Sequence, residues 1–278
     1  MNINNLEVVS DAYKDLQEIA RDYAPKYLKA EPFPHVTFDG FFSESYLSKV
    51  LAEFPDLSQS KDVIHHDNGI TDIKLASTRG DSLFGPATKA LMAFLNSHQF
   101  LDFLQILTSI QEPPISDPHF IGGGLHEIKP GGFLKVHADF NKHQETGLDR
   151  RLNVLIYLNK EWQESYGGHF ELWNEDMTEC KKRELPLFNR MVIFSTTDFS
   201  YHGHPEPLTC PSNRSRKSLA LYYYSNGRPS SEILNLATHA SLYKQRPGEK
   251  FTWNLTLKNI LRDLAPPLLV KILRRIKK

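Results

Sequence analysis

The chain has 278 residues, a length that fits one large domain or two small ones. Hydrophobic residues make up 40% and charged residues 24%, the proportions of an ordinary globular protein. Basic and acidic side chains balance at 33 each, whereas a nucleic-acid-binding protein usually carries a basic excess. We therefore expect no nucleic-acid partner.

The cysteines and the N-terminal segment indicate the compartment. Cys180 and Cys210 form no CxxC or zinc pattern, which favours free thiols in a reducing environment. The N-terminal residues lack a basic segment followed by an apolar one, so we expect no signal peptide. No apolar run reaches the roughly 18 residues that span a membrane. We predict a cytoplasmic protein.

Residues 1–115 are predicted to form a mainly helical support region. Helical periodicity is found in three segments: residues 5–29, a stretch that opens with Ser43 as N-cap and stops before Pro55, and residues 85–110. A short β-rich run at 35–42 lies between the first two.

Residues 57–82 show no clear period and are predicted to be an irregular, polar loop. Long loops of this kind often act as functional lids. The run His65-His66-Asp67 has the residue types of a metal site, but no third ligand lies at a suitable spacing on a regular element. We interpret it as part of a solvated loop.

From about residue 118 the pattern becomes extended. Eight β-like segments follow, at 119–128, 133–139, 152–158, 168–173, about 178–187, 190–195, 200–208 and 216–224. Eight short strands with non-helical connections predict a mainly β fold with a jelly-roll, cupin-like core, also called a double-stranded β-helix.

Several of these strands are apolar on both faces, so the N-terminal helices are expected to cover one side of the sheet. We predict a single domain over residues 1–278, with the jelly-roll core at 116–228 and a C-terminal helical extension at 229–278.

The run Val136-His137-Ala138-Asp139 carries the strongest chemical signal. His137 and Asp139 are two apart and share one face of a strand. A later strand supplies His202 and His204, which also share a face, so periodicity does not choose between them. Two imidazoles and a carboxylate are the triad that holds non-haem Fe(II) and leaves positions for a co-substrate and O2. A closed set of four ligands would suit structural zinc instead.

A second pattern predicts an anion-binding group. Arg216 and Ser218 share an inward strand face, and an arginine buried in a barrel needs an anionic partner. A carboxylate matches the guanidinium fork, and the Ser218 hydroxyl can donate to it. Tyr157 lies on the strand face of Asn153 and Leu155, from which its phenol can reach the same carboxylate.

Four stretches together carry a family resemblance. They are PGGFLKVHADF (130–140), RRLNVLIYLNKEW (150–162), GGHFELW (167–173) and SYHGHPEPL followed by RKSLALYYYS (200–225). In this order they resemble the Fe(II)/2-oxoglutarate-dependent oxygenases, in the branch related to prolyl 4-hydroxylases. His-x-Asp alone occurs by chance, whereas the ordered set is specific.

The resemblance implies roles for the metal-binding candidates. His137, Asp139 and His202 match the iron ligands, and the pattern His-Gly-x-Pro-x-Pro favours His202 over His204.

The resemblance also implies a site for the co-substrate. Arg216 matches the residue that pairs with the far carboxylate of 2-oxoglutarate, Ser218 completes an R-x-S pattern, and Tyr157 matches a tyrosine that often hydrogen-bonds 2-oxoglutarate. An insert at 209–215 makes Arg214 and Lys217 rival anchors.

One tyrosine of the family pattern, which often precedes the His-x-Asp strand, is not evident. His126 or Lys129 lies near its place.

The reaction implied is hydroxylation of an unactivated C–H with Fe(II), 2-oxoglutarate and O2, releasing succinate and CO2. The prime substrate would be a proline residue or another small or polymeric molecule. The alternative, from another class, is a non-catalytic jelly-roll scaffold that docks through its basic C-terminal helix.

Residues 268–278 are basic and amphipathic. This pattern predicts either a peripheral contact with an anionic membrane or a helix that packs back on the domain with its cations at a helix C-terminus.

Overall fold

A computed structural model describes residues 8–67, 69–232 and 238–249. The longer α-helices within these ranges are α1 (Leu16–Leu28), α2 (Glu44–Ala52), α3 (Pro86–Leu95) and α4 (His98–Thr108), and four single 3₁₀ turns accompany them. None of the described helices has the length and hydropathy needed to cross a membrane. The predicted helical extension over 229–278 was wrong for residues 238–249, which contain a short strand and no helix, and its remainder from residue 250, including 268–278, lies outside the described residues.

The described strands are β1 (His35–Asp39), β2 (Val63–Asp67), β3 (Asp72–Ser77), β4 (Ile115–Ser116), β5 (Gly124–Ile128), β6 (Phe133–Ala138), β7 (Asp149–Tyr157), β8 (Phe170–Trp173), β9 (Cys180–Glu184), β10 (Arg190–Ser195), β11 (His202–His204), β12 (Arg216–Ser225) and β13 (Leu242–Tyr243). Each of the eight predicted β segments contains one strand, from β5 to β12. The prediction of a mainly β fold is confirmed.

The strands form one curled antiparallel sheet. Its order is β1-β10-β7-β12-β5-β3-β6-β11-β8-β9, with β2 beside β3, β4 beside β12 and β13 beside β6. The curl makes a jelly roll, in which β6 and β11 are direct neighbours although some sixty residues separate them in sequence. This pairing joins the two histidine-bearing segments.

The helices cover the outer face of the sheet, as the strand pattern predicted. Leu152, Val154 and Ile156 of β7 belong to the largest apolar cluster, together with Phe100 of α4. The Tyr223 hydroxyl of β12 donates a hydrogen bond to a backbone carbonyl at the end of α3, at 2.9 Å. Helices and barrel therefore share one core. The residues of β7 that lie between Leu152, Val154 and Ile156 face the barrel interior.

The first predicted helix is shorter than its sequence period indicates. It begins at Leu16, because the Asp15 carboxylate accepts a hydrogen bond from the backbone N–H of Glu18 and caps the first turn. Upstream, Val9 pairs with Phe42 in an isolated bridge. Val9 is thus buried through this bridge, and a single 3₁₀ turn at Asp11–Tyr13 leads from it towards α1.

The segment predicted as one helix over 85–110 is two helices. Ser97 interrupts it by accepting a hydrogen bond from the Phe100 N–H, which starts α4. Ser43 precedes α2 as predicted, but its hydroxyl bonds to that of Ser45 and makes no capping bond to a helix N–H.

The prediction of an irregular loop at 57–82 was wrong. This region contains the β2–β3 hairpin, and β3 fills the position between β5 and β6. The inward residues of β3 include Asp72 and Lys74, so β3 lacks the alternation of apolar and polar residues by which a strand is predicted from sequence. His65 is exposed, and His66 lies 3.1 Å from the Asp72 carboxylate.

Candidate active site

The pairing of β6 with β11 brings a histidine pair and an aspartate together. His137 is the direct cross-strand partner of His202. One donor atom each from His137, Asp139 and His202 lie within 4.8 Å of one another. Within residues 8–67, 69–232 and 238–249, no other group of three or more potential metal ligands converges in this way.

Hydrogen bonds orient both imidazoles towards a shared centre. Nδ1 of His137 lies 2.8 Å from the backbone carbonyl of Lys135, and Nδ1 of His202 lies 2.8 Å from that of Ser200. These carbonyls accept the Nδ1–H, so each Nε2 keeps its lone pair free for a metal. Burial lowers the pKa of His202 to about 4, which keeps its ring neutral.

The carboxylate of Asp139 is held by two side chains of β7. Its Oδ2 accepts a hydrogen bond from Nδ2 of Asn153 at 2.8 Å and lies 3.1 Å from Nη2 of Arg150. Burial opposes ionisation, but the charge of Arg150 and the nearby imidazoles hold the pKa of Asp139 well below its usual range. Two imidazoles and an ionised carboxylate are the donor set that suits Fe(II), so the residues fit this metal.

Arg150 is itself held by aromatic rings. Its guanidinium carbon lies 3.5 Å from the ring centre of Tyr222 and 4.3 Å from that of Phe140. Nε and Nη2 both donate to Oδ1 of Asn153. The carboxylate therefore rests on a stacked, buried cation that has little freedom to move.

Sequence reasoning missed Arg150, and a β-bulge explains why. Leu152 pairs with Tyr223 and Arg150 pairs with Tyr224, so β7 has one residue more than β12 between these pairs. Simple alternation from Asn153 would point residue 150 outwards. The sequence RRLN (150–153) would have indicated an inward Arg150 only if a bulge at this point of β7 had been assumed.

The triad lies in a cavity that also contains Arg216 and Ser218. Arg216 is 4% exposed; its Nε donates to the Gly168 carbonyl at 2.9 Å and its Nη2 to the Tyr157 hydroxyl at 3.3 Å. No carboxylate lies within 4 Å of this guanidinium among the described residues.

The other two arginines that are buried in the described part of the chain are both paired with carboxylates. Arg150 pairs with Asp139, and Arg151 pairs with Glu112. Burying an unpaired charge costs several kcal/mol, so Arg216 needs an anionic ligand.

The rival anchors lie outside this cavity. Arg214 is bonded to the backbone carbonyl of Lys160, and Lys217 lies over the ring of Phe54 on the outer face. Only Arg216 of the three lines the cavity.

Of the two residues near the place of the missing tyrosine, only one lies in the cavity. His126 lines the cavity, whereas Lys129 is bound to the carboxylates of Asp56 and Glu127.

His204 lies in the cavity but outside the triad. It pairs with Leu134, because β6 has one extra residue between the partners of His202 and His204. Its ring is 4% exposed, and its Nδ1 has no hydrogen-bond partner.

Two further residues near the site were not predicted from the sequence. Lys74 of β3 lines the cavity, and the ring of Tyr243 on β13 packs 5.3 Å from that of His137.

Residues 123–224 match the family model described as the 2OG-Fe(II) oxygenase superfamily. These residues therefore form a 2OG-Fe(II) oxygenase domain. The family match and the converging His-Asp-His set agree on a hydroxylating dioxygenase that uses Fe(II), 2-oxoglutarate and O2. The predicted family is confirmed, and the non-catalytic scaffold is disfavoured.

Several solved structures share the fold of this oxygenase. A Trichoplax adhaerens prolyl hydroxylase, solved in complex with a hypoxia inducible factor oxygen degradation domain peptide fragment, is 18% identical over 77% of this chain and 92% of its own, with a TM-score of 0.55. A Pseudomonas putida prolyl-4-hydroxylase is 14% identical over 74% of this chain and 99% of its own, with a TM-score of 0.54. A 2OG-Fe(II) oxygenase family protein from Burkholderia pseudomallei is 14% identical over 77% and 93%, with a TM-score of 0.51. These likenesses establish a prolyl-4-hydroxylase-like fold.

Proposed function

We propose that the oxygenase holds Fe(II) on His137, Asp139 and His202, and that Arg216 binds the far carboxylate of 2-oxoglutarate. One observation carries the proposal: a converging two-histidine, one-carboxylate set shares a cavity with a buried arginine that lacks a carboxylate partner. A metal and an anion satisfy these groups at the same time.

The neighbours of Arg216 prepare it for this role. The guanidinium already donates to Tyr157, so the phenol keeps its own proton to donate to the co-substrate. Ser218, buried and two residues along the strand, presents a hydroxyl to the same cavity. Together these groups offer a carboxylate three kinds of donor at fixed positions.

The overall reaction converts the substrate C–H, 2-oxoglutarate and O2 into the substrate C–OH, succinate and CO2. Bound iron supplies the activation of O2 that is coupled to decarboxylation. The protein contributes position: Arg150 and Asn153 hold Asp139, and Arg216 sets the direction in which 2-oxoglutarate enters the cavity.

We propose a proline residue in a peptide as the first prime substrate to test. The support is the fold shared with prolyl hydroxylases, one of them solved with a peptide. Phe140 and Tyr222 are half-buried next to the site, and their rings offer apolar surface on which a pyrrolidine ring can pack.

The test is a turnover assay with matched histidine variants. Wild-type protein should convert 2-oxoglutarate into succinate only with Fe(II) and O2, and faster with an accepted peptide. His137→Ala and Asp139→Ala should lose both turnover and metal binding, whereas the exposed His65→Ala should retain both. Unchanged iron affinity in His137→Ala would contradict the assigned ligands, and no stimulation by proline-containing peptides would contradict the substrate class.

We further propose that the protein works in the cytoplasm and contacts an anionic membrane through residues 268–278. The support is their sequence, in which basic residues alternate with an apolar stripe. Full-length protein should float with vesicles containing phosphatidylserine, and deletion of 268–278 should release it. Equal flotation of both forms would contradict the contact.

A further inference from the structure

The cavity contains one cation that the proposed function does not use. Lys74, on the inward face of β3, lines the same cavity as Arg216. Within the described ranges no carboxylate lies within 4 Å of its ammonium group. Asp72, two residues away, is instead bonded to His66 and Thr71. Lys74 is thus a cation without an ionic partner beside a proposed anion site.

The strand register places Lys74 level with Arg216. Leu75 pairs with Glu127 in the neighbouring strand β5, which puts Lys74 beside Ile128, and Ile128 pairs with Arg216 of β12. Adjacent strands are about 4.8 Å apart, so the two backbones are separated by about 10 Å. Both long side chains point into the cavity and can reach one small anion between them.

This level of the barrel is remote from the triad. Asp72 pairs with Leu134, which precedes His137 on β6 by three residues. His204 also pairs with Leu134, and its buried, unpartnered Nδ1 belongs to the same end of the cavity. That end therefore has two cations and a free imidazole nitrogen, and the carboxylate nearest to it among the described residues, Asp72, is bonded to His66 and Thr71 and does not line the cavity.

We propose that Lys74 is a second anchor for the co-substrate, and that its ammonium group and the Arg216 guanidinium together bind the carboxylate of 2-oxoglutarate remote from the metal. The inference rests on the proposed function of the site. Lys74 lies outside residues 123–224, which match the family, so this anchor comes from the hairpin that completes the barrel. Two fixed cations should make binding depend strongly on the remote carboxylate.

Calorimetric titration of Mn(II)-loaded, full-length protein tests the anchor without turnover. The ligands are 2-oxoglutarate and pyruvate, a 2-oxo acid that lacks the remote carboxylate. Lys74→Met removes the charge and keeps the apolar stem, and Lys74→Arg keeps the charge. Lys61→Met removes an exposed lysine that precedes the same hairpin and serves as the matched control.

Lys74→Met should weaken 2-oxoglutarate binding at least about tenfold, the size of one lost hydrogen bond to a charged group. Its pyruvate affinity should match that of Lys61→Met, and Lys74→Arg should recover most of the loss. Equal 2-oxoglutarate affinity in Lys74→Met and Lys61→Met would overturn the inference, as would a parallel loss of pyruvate binding.

Two outcomes separate this inference from its premise. If wild-type protein takes up Mn(II) but no 2-oxoglutarate, the proposed function fails. If Lys74→Met does not fold, Lys74→Gln is titrated in its place, and 2-oxoglutarate binding as tight as that of the wild type overturns the anchor.

Discussion

The guanidinium of Arg150 lies 3.1 Å from Oδ2 of Asp139 and is stacked on the ring of Tyr222. The proposed metal carboxylate is therefore fixed by a cation that is itself almost fully buried, at 1% exposure. Partners that orient a metal ligand matter nearly as much as the ligand itself.

Removing this partner should weaken metal binding. We expect Arg150→Met to lower the affinity for Mn(II) by about 10- to 100-fold, because Asp139 loses its orientation and its compensating charge. The measurement is calorimetric titration with Mn(II). Arg151→Met is the control, since Arg151 is equally buried but pairs with Glu112 away from the triad. Equal metal affinity in both variants would show that Arg150 supports the fold alone.

The two histidines of β11 should differ in their effect on the metal. His202→Ala should abolish tight Mn(II) binding, because His202 faces His137 and its Nε2 points at Asp139. His204→Ala should keep it, because His204 lies beside Leu134 at the other end of the cavity. Equilibrium dialysis with Mn(II) distinguishes them, and the reverse order of affinities would assign the distal ligand to His204.

Replacing Arg216 should weaken co-substrate binding, whereas replacing its neighbour Lys217, which removes the same charge from the outer face of β12, should not. Arg216→Met should weaken 2-oxoglutarate binding at least about tenfold while metal affinity changes little, because the lost group donates charged hydrogen bonds at a distance from the triad. Lys217→Met, on the outer face, should bind 2-oxoglutarate like the wild type. A loss confined to Lys217→Met would mean that the inward face of β12 has been assigned with the wrong register.

The shared core predicts that the helices and the barrel unfold together. Phe100 of α4 is fully buried and its ring lies 6.2 Å from that of Tyr223 in β12. Phe100→Ala should cost about 3–5 kcal/mol and lower the midpoint of one common transition. Denaturation in a Trp253→Phe background, followed by the fluorescence of Trp162 and Trp173 in the barrel, checks this.

The matched control for the core is Leu28→Ala, at a side chain that is 48% exposed, which should change stability by less than about 0.5 kcal/mol. A barrel transition unchanged by Phe100→Ala would divide the chain into two domains and contradict the predicted single unit.

Much of the barrel could be predicted from the sequence because its signals are local. Alternation along β7 and β12 placed Asn153, Arg216 and Ser218 on inward faces, and the structure finds all three lining the cavity. His-x-Asp spacing placed two candidate ligands on one strand face. The extended pattern after about residue 118 was enough to find all eight core segments.

The remaining features depend on how strands pair, which local periodicity does not encode. The bulge in β7 turns Arg150 inwards, and the register of β11 on β6 sets His202, rather than His204, opposite His137. β3 was missed because its inward face carries Asp72 and Lys74, polar residues that a strand tolerates only where a barrel encloses a polar cavity. The sequence by itself determined the fold class and the residue types of the site. Only the tertiary structure decided which histidine meets the aspartate and which buried arginine has no carboxylate beside it among the described residues, because register and burial are properties of several strands together.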